Sequence, residues 1–157
     1  MAEKKERKKR VVGWRENAAL PDLKIKQVIA KIDTGANIAT IDAADIKFVT
    51  RKDVKYVKFT VKKRNNTVRK TSAPLAGFKR IRSSNGDVER RPYIKTDILM
   101  DGITKNIELT LTDRGPMDYT KLIGRKALGR RWMVNPSISF LTSPNGKSKK
   151  NGKSKKK

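Results

Sequence analysis

The sequence of 157 residues contains no cysteine and no histidine. Without cysteine the chain has no disulfide framework and no thiol nucleophile, and without histidine the Ser-His and Cys-His classes of catalysis are excluded. Zinc would have carboxylates as its only protein ligands, and the Gly-x-x-x-x-Gly-Lys-Ser/Thr loop that cradles the phosphates of ATP is absent. We therefore expect no metal ion and no other cofactor.

Long hydrophobic runs are also missing. No apolar stretch approaches the roughly 20 residues that a membrane-spanning helix needs. The basic N-terminus is not followed by an apolar signal segment either. These two absences predict a cytoplasmic protein without a membrane partner.

Acidic residues are few, since 15 Asp and Glu stand against 40 Lys and Arg, for a formal net charge of +25. Basic residues are frequent and apolar ones rare at both ends. This composition predicts disordered tails at residues 1–10 and 143–157, with one folded domain at residues 11–142 between them. The charge predicts an acidic partner, which is a nucleic acid, an anionic membrane surface or an acidic peptide, although tails that only aid solubility would have the same composition.

The middle of the chain has the pattern of short β-strands with almost no helix. Residues 55–62 alternate, with Val57, Phe59 and Val61 on one face. Asn85-Gly86 and Asp101-Gly102 are typical of tight turns between antiparallel strands. Further strands are predicted at 11–14, 24–32, 93–100, 103–112, 121–125, 132–134 and 138–141, and one helical turn at 126–128. The pattern favours an all-β fold, closed or sandwiched.

A short motif at the end of one predicted strand gives the first indication of function. The apolar residues 28–32 run directly into Asp33-Thr34-Gly35-Ala36. This order places a carboxylate at the strand end, beside a hydroxyl that can tie the loop down and a glycine that lets another backbone approach. Aspartic peptidases need this arrangement, but a strand that ends in an ordinary tight turn has the same residues.

Several further motifs occur in a specific order and spacing. They are Gly13–Glu16, Ala19–Leu23, Lys31–Ala36, Arg82–Gly86 with Glu89 and Arg91, Leu109–Arg114 with Met117, and Leu122–Arg125. Together they make residues 12–141 similar to the ATP-dependent zinc protease family, small single-domain relatives of retroviral aspartic proteases. The resemblance implies a closed, retropepsin-like β-barrel with a flap hairpin and one short C-terminal helix.

The segment Leu122–Arg125 also resembles the apolar-apolar-Gly-Arg strand of retroviral proteases, which threads behind the catalytic loop. Other positions depart from the family pattern. Asn37 stands where Arg is usual, Ile38 replaces a small hydroxyl residue, Asp42 stands where His is expected, and Asn135 replaces Asp. Loss of the histidine agrees with a carboxylate mechanism and disagrees with the zinc in the family's name, whereas Asn37 and Ile38 bear on substrate preference and on activity.

The resemblance implies that Asp33, Thr34 and Gly35 form the catalytic loop. This route to peptide hydrolysis needs two carboxylates that share one proton, and the chain has one Asp-Thr-Gly. The second carboxylate must then be Asp33 of another copy, which predicts a homodimer. Some family members are encoded beside a ligase that adds glutamates to a ribosomal protein, so glutamate-rich tails are the implied substrate.

The flap around Asn85-Gly86 is predicted to cover the substrate, and arginines are predicted to grip its carboxylates. The candidate substrate-binding residues are Ala36, Arg82, Ser83, Ser84, Asn85, Gly86, Arg114 and Arg125. For Arg90 and Arg91 an ordinary exposed charge is the favoured interpretation.

A second hypothesis belongs to a different class of function. The domain would be a non-catalytic β module that binds the ribosome or other nucleic acid through its Lys-rich tails, with salt-dependent and sequence-neutral affinity. Few aromatic residues interrupt the basic segments, so stacking on bases is not indicated. Loss of RNA binding on removal of the tails would favour this hypothesis over the peptidase.

Overall fold

The computed structural model describes residues 9–62, 68–82, 86–113 and 121–142, and most of them lie in strands. The strands are β1 (Arg10–Gly13), β2 (Arg15–Leu20), β3 (Ile25–Ile32), β4 (Ala39–Asp42), β5 (Ala44–Arg51), β6 (Val54–Lys62), β7 (Val68–Pro74), β8 (Gly77–Arg82), β9 (Val88–Met100), β10 (Ile103–Thr112), β11 (Lys121–Ile123) and β12 (Trp132–Asn135). The helices are a 3-10 turn at Pro21–Leu23 and α1 at Arg125–Leu128. The predicted all-β class is confirmed.

The main sheet has the strand order β10-β4-β11-β3-β2-β9-β8, and β10 pairs in addition with β9. The pairings of six of these strands therefore return on themselves, as a closed barrel requires. The link between β2 and β9 is the single pair Ala19 and Leu99. Strand β8 lies outside the ring, hydrogen-bonded to β9.

Every second side chain along the strands points inward, and these side chains fill the interior of the ring. Val28, Ala30 and Ile32 of β3 are buried while the intervening Lys31 is exposed. Ile107, Leu109 and Leu111 of β10 are buried in the same cluster. Because side chains of a strand point alternately to its two faces, the period-two pattern of the sequence determines which residues form the core.

A second sheet is formed by β5, β6 and β7 in antiparallel order. Val57, Phe59 and Val61 of β6 are buried in the common core, whereas Lys58 and Lys62 are exposed. The alternation predicted for residues 55–62 is thus confirmed, and the sheet has one apolar face and one charged face.

Both predicted hairpins are present. Asp101 and Gly102, at φ 55° and 70°, join β9 to β10, as expected for a two-residue turn that needs positive φ at both positions. Strands β8 and β9 pair antiparallel on either side of the Asn85-Gly86 turn, with Gly86 at φ +92°. Ser83, Ser84 and Asn85 lie outside the described residues.

The predicted strand at 138–141 is wrong. This segment is irregular and is held by isolated hydrogen bonds, from Trp14 N–H to the Ile138 carbonyl (2.8 Å) and from Phe140 N–H to the Arg15 carbonyl (2.9 Å). Phe140 has a φ of 56°, which no extended strand contains. The guanidinium of Arg15 lies 5.0 Å from the centre of the Phe140 ring and fixes the segment further.

A buried carboxylate anchors the same segment. Glu16 has no exposed surface. Its side chain accepts hydrogen bonds from Gly13 N–H (2.6 Å), Leu141 N–H (3.0 Å) and the hydroxyl of Thr142 (2.9 Å). Charged acceptors bind backbone donors more strongly than neutral ones, so Glu16 joins the first strands of the domain to its last residues.

We expect Glu16→Ala to lower the free energy of unfolding by about 3 kcal/mol, because it leaves N–H groups of two segments, at Gly13 and at residues 141–142, without their acceptor. Chemical denaturation followed by tryptophan fluorescence measures this loss. Glu16→Gln keeps one acceptor oxygen and should lose less. Glu108→Ala, which removes a surface ion pair with Lys79, should cost under about 1 kcal/mol, and an equal loss in both Ala variants would contradict the role of Glu16.

Candidate functional site

The Asp33 loop begins where β3 ends. Asp33 N–H donates to the carbonyl of Ile123 at 2.9 Å, and Ala36 N–H donates to the carbonyl of Asp33 at 3.2 Å. The first bond continues the pairing of β3 with β11, and the second closes a tight turn. The strand therefore determines where the carboxylate stands, as the sequence pattern predicts.

The short strand β11 lies between β3 and β4. It runs parallel to β3, with Ile123 opposite Ile32, and antiparallel to β4, with Leu122 opposite Thr40. Because β3 and β4 are consecutive in sequence but separated in the sheet, the loop that joins them must pass over the end of β11. That loop carries Asp33.

Gly124 is the residue over which the loop passes. A Cβ at this position would lie 2.9 Å from three main-chain atoms, the oxygen of Ala36 and the carbonyl carbons of Asn37 and Ile38. Main-chain atoms cannot rotate out of the way as a side chain does, so any larger residue would displace the loop. The glycine is required by this close approach of two backbones.

The first turn of α1 holds the loop from the other side. Arg125 N–H donates to the Ala36 carbonyl at 2.8 Å, and Lys126 N–H donates to the Asn37 carbonyl at 3.0 Å. The guanidinium of Arg125 donates to the Thr34 carbonyl at 2.8 Å. These contacts use donors that have no partner inside the helix, and they give Arg125 a role in positioning the loop.

The carboxylate of Asp33 is oriented and accessible. Its Oδ1 atom accepts a hydrogen bond from Gly35 N–H at 3.0 Å. Asp33 is half-buried, while Thr34 and Gly35 are exposed at the surface and Ala36 is half-buried. The loop thus presents one carboxylate, one hydroxyl and a glycine backbone to whatever approaches.

The other predicted site residues lie in or near the β8–β9 hairpin. Arg82 is exposed, and its guanidinium donates to the carbonyl of the exposed Gly86 at 3.2 Å. Arg90 is exposed, 4.0 Å from the centre of the Phe78 ring, in agreement with its interpretation as a surface charge. Arg114 lies outside the described residues, as Ser83, Ser84 and Asn85 do.

The interpretation of Arg91 as an exposed charge is wrong. Arg91 is 3% exposed and pairs with Glu89 at 3.0 Å. Glu89 also accepts a hydrogen bond from the hydroxyl of Thr112 at 3.3 Å, which joins the turn end of the hairpin to β10. Alternation in β9 gives no signal for this burial, since Arg91 and the buried Ile94 differ in parity and the pairing with β8 continues through Pro92 without a shift.

Within the described ranges, no three acidic side chains are grouped so that they could hold a metal ion. None of the helices in this part of the chain has the length and apolarity needed to cross a bilayer.

A strand-end Asp-Thr-Gly loop, with an apolar-apolar-Gly-Arg strand threaded behind it and a short helix after it, defines the retropepsin-like class of aspartic-protease folds. Residues 11–145 match the family model described as RimB-like, retropepsin-like aspartic endopeptidase RimB. The chain belongs to this RimB-like family.

The curated relatives are named as ligases and not as peptidases. A Shewanella halifaxensis protein named "Probable alpha-L-glutamate ligase" is 33% identical over 133 residues, which are 83% of this chain and 29% of that protein. A protein of the same name from Shewanella pealeana is 32% identical over 139 residues, 87% of this chain and 30% of that one. This chain thus spans about three-tenths of the length of the curated relatives it matches.

A solved structure shares the fold. The crystal structure of a Legionella pneumophila protein of unknown function superposes with a TM-score of 0.72 at 28% sequence identity, and the match covers 84% of this chain and 97% of that one. The similarity extends over almost the whole of that protein, so the fold is that of an independent unit.

We expect Gly124→Ala to lower the free energy of unfolding by about 1–3 kcal/mol, because its Cβ has to push the main chain of residues 36–38 away. Thermal unfolding measures the loss. Gly102→Ala is the control for glycine removal without a clash, since a Cβ there meets no atom within 4 Å and only the positive φ of 70° is strained. A loss in Gly124→Ala no larger than in this control would contradict the close packing of loop and strand.

Proposed function

We propose that the chain is an aspartic endopeptidase that acts as a homodimer in the cytoplasm. The single observation that carries the proposal is the Asp33 loop, an accessible carboxylate fixed by strand, helix and glycine contacts in a fold of the RimB-like family. Membership of a family described as aspartic endopeptidases supports it.

The mechanism needs a second carboxylate, which a second copy would supply. Two copies related by a two-fold axis would bring Asp33 of one chain beside Asp33 of the other. Thr34 would tie the two loops together, and Gly35, which has no side chain, would let the backbones approach. Each copy has a net charge of +25, so moderate salt favours this association.

Hydrolysis would then follow from the shared proton of the pair. Two carboxylates about 3 Å apart cannot both ionise at low cost, so the pair would share one proton. The ionised group removes a proton from the attacking water, and the protonated group donates a hydrogen bond to the peptide carbonyl. Arg125 contributes by holding Thr34, and so the loop, in place.

The proposed substrate is an acidic peptide, above all a run of glutamates on a ribosomal or other cytoplasmic protein. The names of the curated relatives, glutamate ligases, connect this kind of domain with glutamate addition. The basic composition complements such a chain. Arg80, Arg82 and Arg90 are exposed on paired strands of the flap hairpin, where guanidinium groups could grip successive carboxylates.

A peptide with a C-terminal run of six glutamates tests this proposal, with cleavage followed by mass spectrometry at moderate salt. We expect Asp33→Asn to lower the rate at least about 100-fold, because it removes the group that activates water. The mutant should still dimerise in sedimentation experiments, since the loop backbone is unchanged.

Asp53→Asn is the matched control. Asp53 is exposed in the turn between β5 and β6 at φ 65°, a conformation that Asn tolerates. Its rate should equal that of the wild type. Equal cleavage by wild type and Asp33→Asn, or a wild-type chain that neither dimerises nor cleaves, would refute the proposed peptidase.

A further inference from the structure

The second sheet carries an excess of positive charge that the proposed peptidase does not use. Strands β5, β6 and β7 with the turn between β5 and β6, residues 44–62 and 68–74, contain eight Lys and Arg and two Asp. One face of this sheet packs on the core through Val57, Phe59 and Val61. Four of the lysines, Lys47, Lys58, Lys62 and Lys70, share the opposite face, whereas Arg69 lies opposite the buried Val61.

Strand register brings lysines together on that outer face. Lys47 of β5 lies directly opposite Lys58 of β6, and Lys70 of β7 lies opposite Thr60. All three lysines are exposed. Like charges directly opposite each other destabilise a sheet, so this arrangement costs free energy in the isolated chain and an anion bound between them would relieve the cost.

The same residues line a groove of about 400 Å³. Its lining includes Thr60 and Ser72, whose hydroxyl side chains share the face of the lysines because Thr60 lies opposite Lys70 and Ser72 opposite Lys58. Asp45 is the carboxylate in the lining, at the end near the β5 bulge. Ammonium groups interleaved with hydroxyl donors suit the oxygens of phosphate groups.

A guanidinium group and an aromatic ring lie close together at one end of this face. The guanidinium of Arg51 lies 5.8 Å from the centre of the Tyr56 ring, and Tyr56 shares the face of Lys58 because the two are two residues apart on β6. Aromatic rings and guanidinium planes are the surfaces on which unpaired bases stack. An acidic peptide has no group that would use such a surface, and carboxylates are better matched by arginine forks than by lysines.

We propose that this lysine face, formed by Lys47, Lys58, Lys70, Thr60 and Ser72, binds the phosphate backbone of single-stranded nucleic acid. The site is separate from the Asp33 loop, which β3, β4 and β11 of the main sheet position. It belongs to the folded domain, so it differs from binding through the Lys-rich tails. Binding does not depend on the proposed peptidase activity and can be tested independently of it.

The test uses the full chain and a fluorescently labelled, mixed-sequence RNA of 20 nucleotides, with binding followed by anisotropy over a salt series. The triple variant Lys47→Gln, Lys58→Gln and Lys70→Gln should bind about 100-fold more weakly near 0.1 M salt. Its plot of log affinity against log salt should be shallower by about 2, because three phosphate contacts to a single strand are lost. The thermal unfolding midpoint should not fall, since the variant removes the repulsion between Lys47 and Lys58, and glutamate-peptide cleavage should be unchanged.

Two control variants each remove three positive charges from other parts of the chain. One changes the exposed Lys9, Lys26 and Lys95 to Gln on other parts of the body, and the other changes Lys149, Lys150 and Lys153 to Gln in the C-terminal tail. Both should lose less than about threefold in affinity. Single-stranded DNA of the same length should bind as RNA does if phosphate alone is recognised, and more weakly if the 2′-hydroxyl also contributes.

Three results would overturn the proposal. The first is an equal loss in all three variants, which would show that only net charge matters. The second is a loss confined to the tail variant, which would assign binding to the tail. The third is a lysine face that binds a hexaglutamate peptide but not RNA, which would make it a site for acidic peptides.

Discussion

The insertion of β11 between β3 and β4 is the constraint on which the candidate site depends. It separates two strands that are neighbours in sequence and forces their connection across Gly124. The first turn of α1 then meets the carbonyls of that connection. Asp33 is thereby held by backbone bonds from three elements, and a carboxylate fixed in this way needs little reorganisation when it reacts.

Basic residues are distributed between two surfaces by type. Arginines are concentrated on the β8–β9 hairpin, where Arg80 and Arg90 stand opposite each other, whereas lysines dominate the outer face of the β5–β6–β7 sheet. Guanidinium groups match carboxylates in pairs of hydrogen bonds, while ammonium groups act as point charges toward phosphate. The folded domain therefore has two basic surfaces of different chemistry, one with several guanidinium groups and one with several ammonium groups.

The sequence predicted correctly those strands and turns that show a pattern among neighbouring residues. Gly86, Asp101 and Gly102 have the positive φ values typical of turn residues, and the strand before Asp33 has its own alternation. The strands β2 and β5 were missed because their residues are mixed in polarity, although each pairs with the next strand along the chain. The segment 138–141 was mistaken for a strand because apolar residues that dock on Arg15 resemble a strand in composition. Burial of Arg91 depends on Glu89 and β10, which no local pattern reveals.

Each chain has a single Asp-Thr-Gly, at residues 33–35, so the proposed enzyme would need two chains to form its catalytic pair. When most chains are monomers, the concentration of dimers, and so of catalytic pairs, rises with the square of the chain concentration. A newly made chain would be dormant until enough copies accumulate, and its mutual repulsion would raise that threshold as ionic strength falls. The concentration of the chain and the ionic strength would then regulate the enzyme, and this regulation would require neither an inhibitor nor a removable pro-segment.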